Sequence, residues 1–195
     1  MKPSTKQSKG RGRPRKFDKK AALDGAVALF MTKGYSAASL DDLSNAMGIK
    51  RPSIYNAFGN KEAIFIQCVE HYFETISAPL AQALQCESLE EAFMGFFTCL
   101  LDFYCNENLG CMATSTMPAE AAENGTVTSF YNTIIYRIDA LLQDRLETAR
   151  EINNTNLRAQ LLQGLMQTLS LRARAGAKRS DLETLYRFGL AKILD

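Results

Sequence analysis

Beyond residue 17, apolar side chains recur every three or four positions, and nowhere does the chain settle into the alternation that marks a half-buried strand. Asp18 stands where an N-cap belongs, and Ala22, Ala26, Leu29 and Phe30 then form an inward stripe lasting to about Lys33. Gly34 stops this helix and Tyr35 packs back on it. Residues 39–61, SLDDLSNAMGIKRPSIYNAFGNK, hold two short helices around a tight turn. Ser39 and Asp42 are placed as a capping box, and Leu40, Leu43 and Met47 share one face. Gly48 falls where a left-handed C-cap is expected, with apolar Ile49 after it. Pro52 fits only a first helical turn, so the next helix starts near Lys50; it carries Ile54, Tyr55 and Phe58 and ends at Gly59. A helix, a turn with glycine and a short basic-headed helix form the helix-turn-helix pattern, which implies duplex DNA as the partner.

The same periodicity continues to the end. Asn60 caps a long helix through Ile64, Phe65, Cys68, Val69, Tyr72, Phe73 and Ile76, with Pro79 near its end and helix resuming to about Gln85. Ser88 and Glu91 form a capping box for a helix with Phe93, Phe96, Phe97, Leu100, Leu101 and Tyr104. Asn106, Asn108 and Gly110 mark a loop, and helix is expected again from about Pro118. One amphipathic helix spans Val127 to about Glu151, and another Thr155 to Arg174. The latter sets Leu157, Leu161, Leu165 and Leu169 in a stripe with Leu162 and Met166, and Gly164 beside it. Ser180 and Glu183 are placed to cap the last helix. The fold is all-α, about nine helices.

Charge sharpens the partner. Net charge is only +2, yet residues 1–20 hold nine Lys or Arg against Asp18, leaving the other 175 residues at −6. A basic arm on a mildly acidic body points to nucleic acid at one end. Residues 1–16 lack apolar side chains apart from Met1, so 1–17 are expected to be a disordered arm. Its GRGRPRK run resembles an AT-hook core, in which Arg11, Arg13, Arg15 and Lys16 would enter a narrow minor groove. No apolar run reaches the ~20 residues of a membrane span. No secretory signal follows the basic start, and five cysteines read as reduced thiols, so a cytoplasmic location is expected.

The arrangement resembles the TetR family of transcriptional regulators. Gly34-Tyr35, Ser39, Ala46, Gly48, Tyr55-Asn56-Ala57-Phe58 and Lys61-Glu62 carry the resemblance, at fixed spacing. It implies a DNA-binding domain over residues 18–60 and a ligand-binding and dimerisation domain over 61–195. Position by position, Lys50, Arg51, Ser53 and Asn56 would read bases, since Lys and Arg suit guanine acceptors and Asn suits adenine. Ser39, Tyr55 and Lys61 would hold phosphates. Capping alone would also explain Ser39, and core packing Tyr55. Lys61 opposes the helix dipole in a first turn, which makes sense if a phosphate sits there. Ala57 replaces the His or Tyr usual in the family and removes one contact.

The resemblance further implies a homodimer built from the last two helices, on a palindromic operator. Leu157, Leu161, Leu165, Leu169, Leu182, Leu185, Tyr186, Gly189 and Ile193 are the interface candidates; the same residues could instead close the monomer core. It implies a repressor released by a small apolar or aromatic effector. Phe93, Phe96, Phe97, Phe103, Tyr104, Met112, Met117, Phe130, Tyr131 and Met166 are the candidate pocket, or else ordinary core. Cys105 and Cys111 flank a loop and could sense oxidants or electrophiles, but no Lys, Arg or His in residues 87–136 lowers a thiol pKa locally. A DNA-architectural protein without operator specificity is a further alternative. Neither a metal site nor a cofactor is expected: His71 is the only histidine and there is no CxxC pair. No nucleophile triad or phosphate loop suggests an enzyme.

Overall fold

The computed structural model describes residues 17–149 and 152–195. The arm with Arg11, Arg13, Arg15 and Lys16 lies outside the described residues. Nine α-helices are described: α1 (Lys19–Lys33), α2 (Leu40–Met47), α3 (Arg51–Phe58), α4 (Lys61–Ala83), α5 (Leu89–Tyr104), α6 (Met112–Ala121), α7 (Gly125–Glu147), α8 (Thr155–Arg174) and α9 (Arg179–Leu194). No strand occurs among the described residues.

The capping signals explain most boundaries. The Asp18 carboxylate accepts from the Lys20 and Ala21 amides and opens α1. Ser39 and Asp42 form the full reciprocal box on α2, and the Asn60 side chain caps α4 through the Ala63 amide at 2.8 Å. Gly48 is left-handed at φ 65°, which a Cβ would oppose, and the Ile49 amide closes back on the Ser44 carbonyl at 3.2 Å.

Four boundaries depart from the sequence reading. Ser88 caps α5 through the Glu91 amide, but only that half of the expected box forms. α6 begins at Met112 rather than near Pro118, which it accommodates inside the helix. α7 begins at Gly125, because Asn124 accepts from the Thr126 and Val127 amides, and it ends at Glu147 rather than near Glu151. α9 starts after Lys178, and Glu183 takes a salt bridge from Arg179 at 2.9 Å instead of reaching back to cap.

α1, α2, α3 and the first turns of α4 form a head around buried Ala26, Phe30, Leu43, Ile54, Ile64 and Phe65. Tyr35 closes it, its ring 4.9 Å from that of Phe65. α1 and α2 cross in van der Waals contact at Gly25, where a Cβ would stand 2.0 Å from the Ala46 carbonyl oxygen. The body packs α4 to α9 around Phe93, Phe96, Phe97, Leu100, Met117 and Leu142. α4 belongs to both, running unbroken from the head into the body.

Polar ties join head to body. Arg174, near the end of α8, donates to the Met31 carbonyl of α1 at 2.8 Å and the Leu109 carbonyl at 3.1 Å. The Ser36 hydroxyl donates to Glu120 at 2.7 Å, and Asn124 donates to Glu62. Arg174→Ala would leave two part-buried carbonyls without their charged donor, a loss of about 1.5–3 kcal/mol. In thermal unfolding the midpoint should fall by roughly 4–8 °C; an unchanged midpoint would show that water replaces the guanidinium.

Candidate functional site

The exposed face of the head gathers the residues expected to meet DNA. Lys50, Arg51, Ser53 and Asn56 are all exposed on α3, while Ile54 and Phe58 turn inward. The alternation follows from the helical period, which puts 50, 53 and 56–57 opposite 54 and 58. Tyr55 is 50% exposed, so it is not a core residue and its hydroxyl is available at the edge of that face. Arg51 is paired with Asp41 of α2, an exposed ion pair that is easily exchanged for another anion.

Ser39 and Lys61 are more constrained than their sequence positions suggested. Both donors of Ser39 go to Asp42: the hydroxyl at 2.6 Å and the amide at 2.8 Å. A phosphate at Ser39 would have to displace that carboxylate. Asp42 is itself held well below the usual carboxylate range, first by Lys33 at 2.6 Å and then by Ser39. A carboxyl with a depressed pKa stabilises the fold fully above its unfolded value. The Asp42 contribution is therefore complete at neutral pH and fades only as pH drops below about 4. Lys61 lies with its ammonium 4.4 Å from the Tyr35 ring centre and 3.3 Å from the Ser36 carbonyl, and burial pulls its pKa down.

Inside the body, a cavity of about 330 Å³ opens between α4, α5, α6, α7 and α8. Of the ten candidates from the sequence, Phe96, Tyr104, Tyr131 and Met166 line it. Phe93, Phe97, Met112 and Met117 are fully buried core instead, and the Phe97 ring stacks on Tyr186 at 5.7 Å. Phe103 faces a cleft between α1 and α4, and Phe130 an outer groove between α4 and α7. Spacing alone cannot separate these groups, because adjacent helical faces of the same apolar helix serve core and cavity. Phe73, Ile76, Leu80, Leu100, Ile134 and Ile138 are among the other apolar lining residues, and the apolar stripes of α4, α5 and α7 were the available signal for them. The polar groups present are neutral: Ser77, Thr114, Gln163, Gln167, Cys111 and the two tyrosines. Among the described residues, no Asp, Glu, Lys or Arg lines the cavity.

The interface candidates divide as well. Leu169, Leu182 and Tyr186 are buried in the monomer, and the Tyr186 hydroxyl lies 2.8 Å from that of Thr98. Gly189 is a contact within the chain, since a Cβ there would meet Leu165 at 2.9 Å. Leu165, Leu185 and Ile193 are half-buried. Leu157 and Leu161 are 57% and 59% exposed, and Leu171 and Phe188, absent from the sequence candidates, are exposed with them. The cause is geometric: a four-residue step overshoots the helical turn by about 40°, so the stripe winds through about 120° from Leu157 to Leu169. It begins on the outside and ends in the core.

A helix-turn-helix head joined by a shared helix to an all-α body with an apolar cavity defines a class of DNA-binding regulators. The model of bacterial regulatory proteins, tetR family, matches residues 22–68. The chain is 31% identical over 185 residues to the HTH-type transcriptional repressor ComR of Escherichia coli K12, covering 89% of this chain and 88% of that one. It is 40% identical over 80 residues to the repressor BdcR of the same strain, 41% of either chain. Among solved structures, a cysteine mutant of the TetR family regulator CifR, complexed with 26-bp operator DNA, superposes with a TM-score of 0.85 at 24% identity. That match covers 92% of this chain and 98% of CifR, and at such identity it speaks for the fold. The chain belongs to the TetR family.

Proposed function

We propose that this protein is a homodimeric repressor that reads a palindromic operator through α3 and is released by a small neutral effector. The observation that carries this reading is the exposed face of α3, where Lys50, Arg51, Ser53 and Asn56 stand together with no core role. ComR and BdcR, named as transcriptional repressors, and CifR, held on operator DNA, support it.

Residues 18–60 would bind DNA, with Tyr55 and Lys61 on phosphates and the arm residues Arg11, Arg13, Arg15 and Lys16 in a minor groove. Ser39 acts chiefly through the cap that aims α2. Residues 61–195 would bind the effector and the second subunit, through the exposed Leu157, Leu161, Leu171 and Phe188. An apolar ligand filling the cavity would press on Phe73, Ile76 and Leu80 of α4, whose first turn carries Lys61 and Glu62. The Glu62–Asn124 contact ties the same turn, and the Ser36–Glu120 contact the loop after α1, to the α6–α7 corner. Movement of α4 against that corner would respace the two heads.

Selection of bound genomic fragments tests the operator, followed by titration with Asn56→Ala. In the dimer the substitution removes one bidentate base contact from each half-site at about 1–3 kcal/mol apiece, so operator affinity should drop about 30-fold or more. Affinity for unrelated DNA should not change. If the parent binds all fragments alike with a steep salt dependence, it is a sequence-indifferent DNA-coating protein and the operator reading is wrong.

A further inference from the structure

We propose that the body cavity takes an uncharged, largely apolar compound bearing a hydroxyl group, which donates to the Gln163 amide oxygen and accepts from the Tyr131 phenol. This rests on the effector reading above and adds the chemistry of the effector.

Gln163 is the polar anomaly of the cavity. It lines the space from α8, yet it is only 8% exposed. A primary amide at that depth needs partners at both ends. Its Nε2 donates to the Ile135 carbonyl of α7 at 3.2 Å. That contact fixes the amide's orientation, since a reversed amide would set oxygen against oxygen. The other end is then the amide oxygen, and among the described residues no N–H or O–H donates to it. Nor is it sealed in protein without a partner, as the Ser115 hydroxyl is. It presents the cavity with an acceptor that a ligand O–H would satisfy.

The donor stands along the same wall. Tyr131 lines the cavity from α7, one turn before the Ile135 that holds Gln163. Burial pushes its pKa above the ordinary value, so the phenol keeps its proton and can donate. Tyr104 is committed elsewhere, to the Cys111 thiol. A single ligand hydroxyl answers both groups, donating to Gln163 and accepting from Tyr131. A ketone or an ether accepts but leaves the Gln163 oxygen bare. A carboxylate would set charge against that oxygen, and an ammonium would find no carboxylate, because among the described residues no Asp, Glu, Lys or Arg lines the space. Phe96, Leu100, Ile134 and Met166 supply apolar contacts for a hydrocarbon body.

Both helices that hold the hydroxyl lead to the head. α8 ends at Arg174, which holds the Met31 carbonyl of α1, and α7 begins after Asn124, which holds Glu62. A ligand seated between them bears on both ties.

The full-length protein would be titrated with 4-tert-butylphenol and with its methyl ether, 4-tert-butylanisole, reading affinity by calorimetry, melting and operator release. The phenol should raise the melting midpoint and release the operator. The ether should bind roughly 10- to 100-fold more weakly, because it leaves the Gln163 oxygen unpaired. Gln163→Met, of similar length but without the acceptor, should bind the two compounds equally. 4-tert-Butylcyclohexanone, an acceptor only, should bind the parent protein as weakly as the ether, a comparison that needs no folded variant. Tyr131→Phe should weaken phenol and ether alike; undiminished binding would overturn the part of Tyr131. A Gln163→Met protein that keeps the parent's preference would show that Gln163 is not the acceptor. If the parent binds phenol, ether and ketone alike, the hydroxyl assignment is wrong and the effector reading stands. If none of the three shifts melting or releases the operator, both fail.

Discussion

Replacing Gly25 with alanine should destabilise the head and abolish DNA binding. Two effects oppose each other at this position. Alanine in a helix interior is worth about 1 kcal/mol over glycine, so propensity alone forecasts a more stable protein. Against it, the new methyl would sit 2.0 Å from the Ala46 carbonyl oxygen and 2.8 Å from its carbon. Backbone atoms cannot swing aside as a side-chain tip can, so α1 and α2 must separate. Forced overpacking of this kind costs roughly 3 kcal/mol or more. The clash prevails, and the midpoint of thermal unfolding should fall by roughly 4–8 °C. The separation also tilts α2 and with it α3, so operator binding measured by fluorescence anisotropy should be lost even below the new midpoint. A Gly25→Ala protein that melts higher and binds normally would show that the α1–α2 crossing is not as close as described.

Leu161→Arg should convert the protein to a monomer and remove high-affinity operator binding. Leu157, Leu161, Leu171 and Phe188 expose apolar side chains on α8 and α9, and burial of each such side chain is worth about 1.5–3 kcal/mol. Gly164, with nothing near its Cα, lets a second backbone come close along this face. An arginine at the centre would place an unpaired charge in each copy of the contact. Leu161 lies thirteen residues, about 20 Å, along α8 from the Arg174 that touches the head, so each monomer would keep its α3 surface. The loss comes from linkage: two coupled half-site contacts gain about 10²–10⁴ over one, so operator affinity should fall by at least about 100-fold. Light scattering after size exclusion reads the mass directly. A parent that elutes as a monomer, or a variant that stays dimeric, would refute this assignment of the interface.

Local chemistry made the head legible before any coordinates. Asp18, Ser39, Gly48, Pro52, Asn60 and the apolar stripes between them each act within four or five residues of their own position, and each formed as its type requires. The outward placement of Lys50, Arg51, Ser53 and Asn56 follows from the same short period. Errors began where a residue's role depended on a partner far along the chain. Gly25 meets the Ala46 carbonyl only once α1 and α2 cross. Arg179 pairs with Asp102, far back in the chain, at 2.8 Å. Arg179 also comes within reach of Cys105, a cation that the residues around that cysteine could not reveal.

By itself, then, the amino-acid sequence determined the all-α class, the helix-turn-helix and its exposed face, because caps, periodicity and turn residues are local interactions. Only the tertiary structure decided which of the apolar side chains in the body are core, cavity or free surface. Phe93 and Phe96 lie three residues apart on one helix, both buried, yet only the second lines the cavity. Leu157 and Leu169 belong to one stripe, but one faces solvent and the other the core. Apolar periodicity records that a face is covered; what covers it depends on how the nine described helices cross.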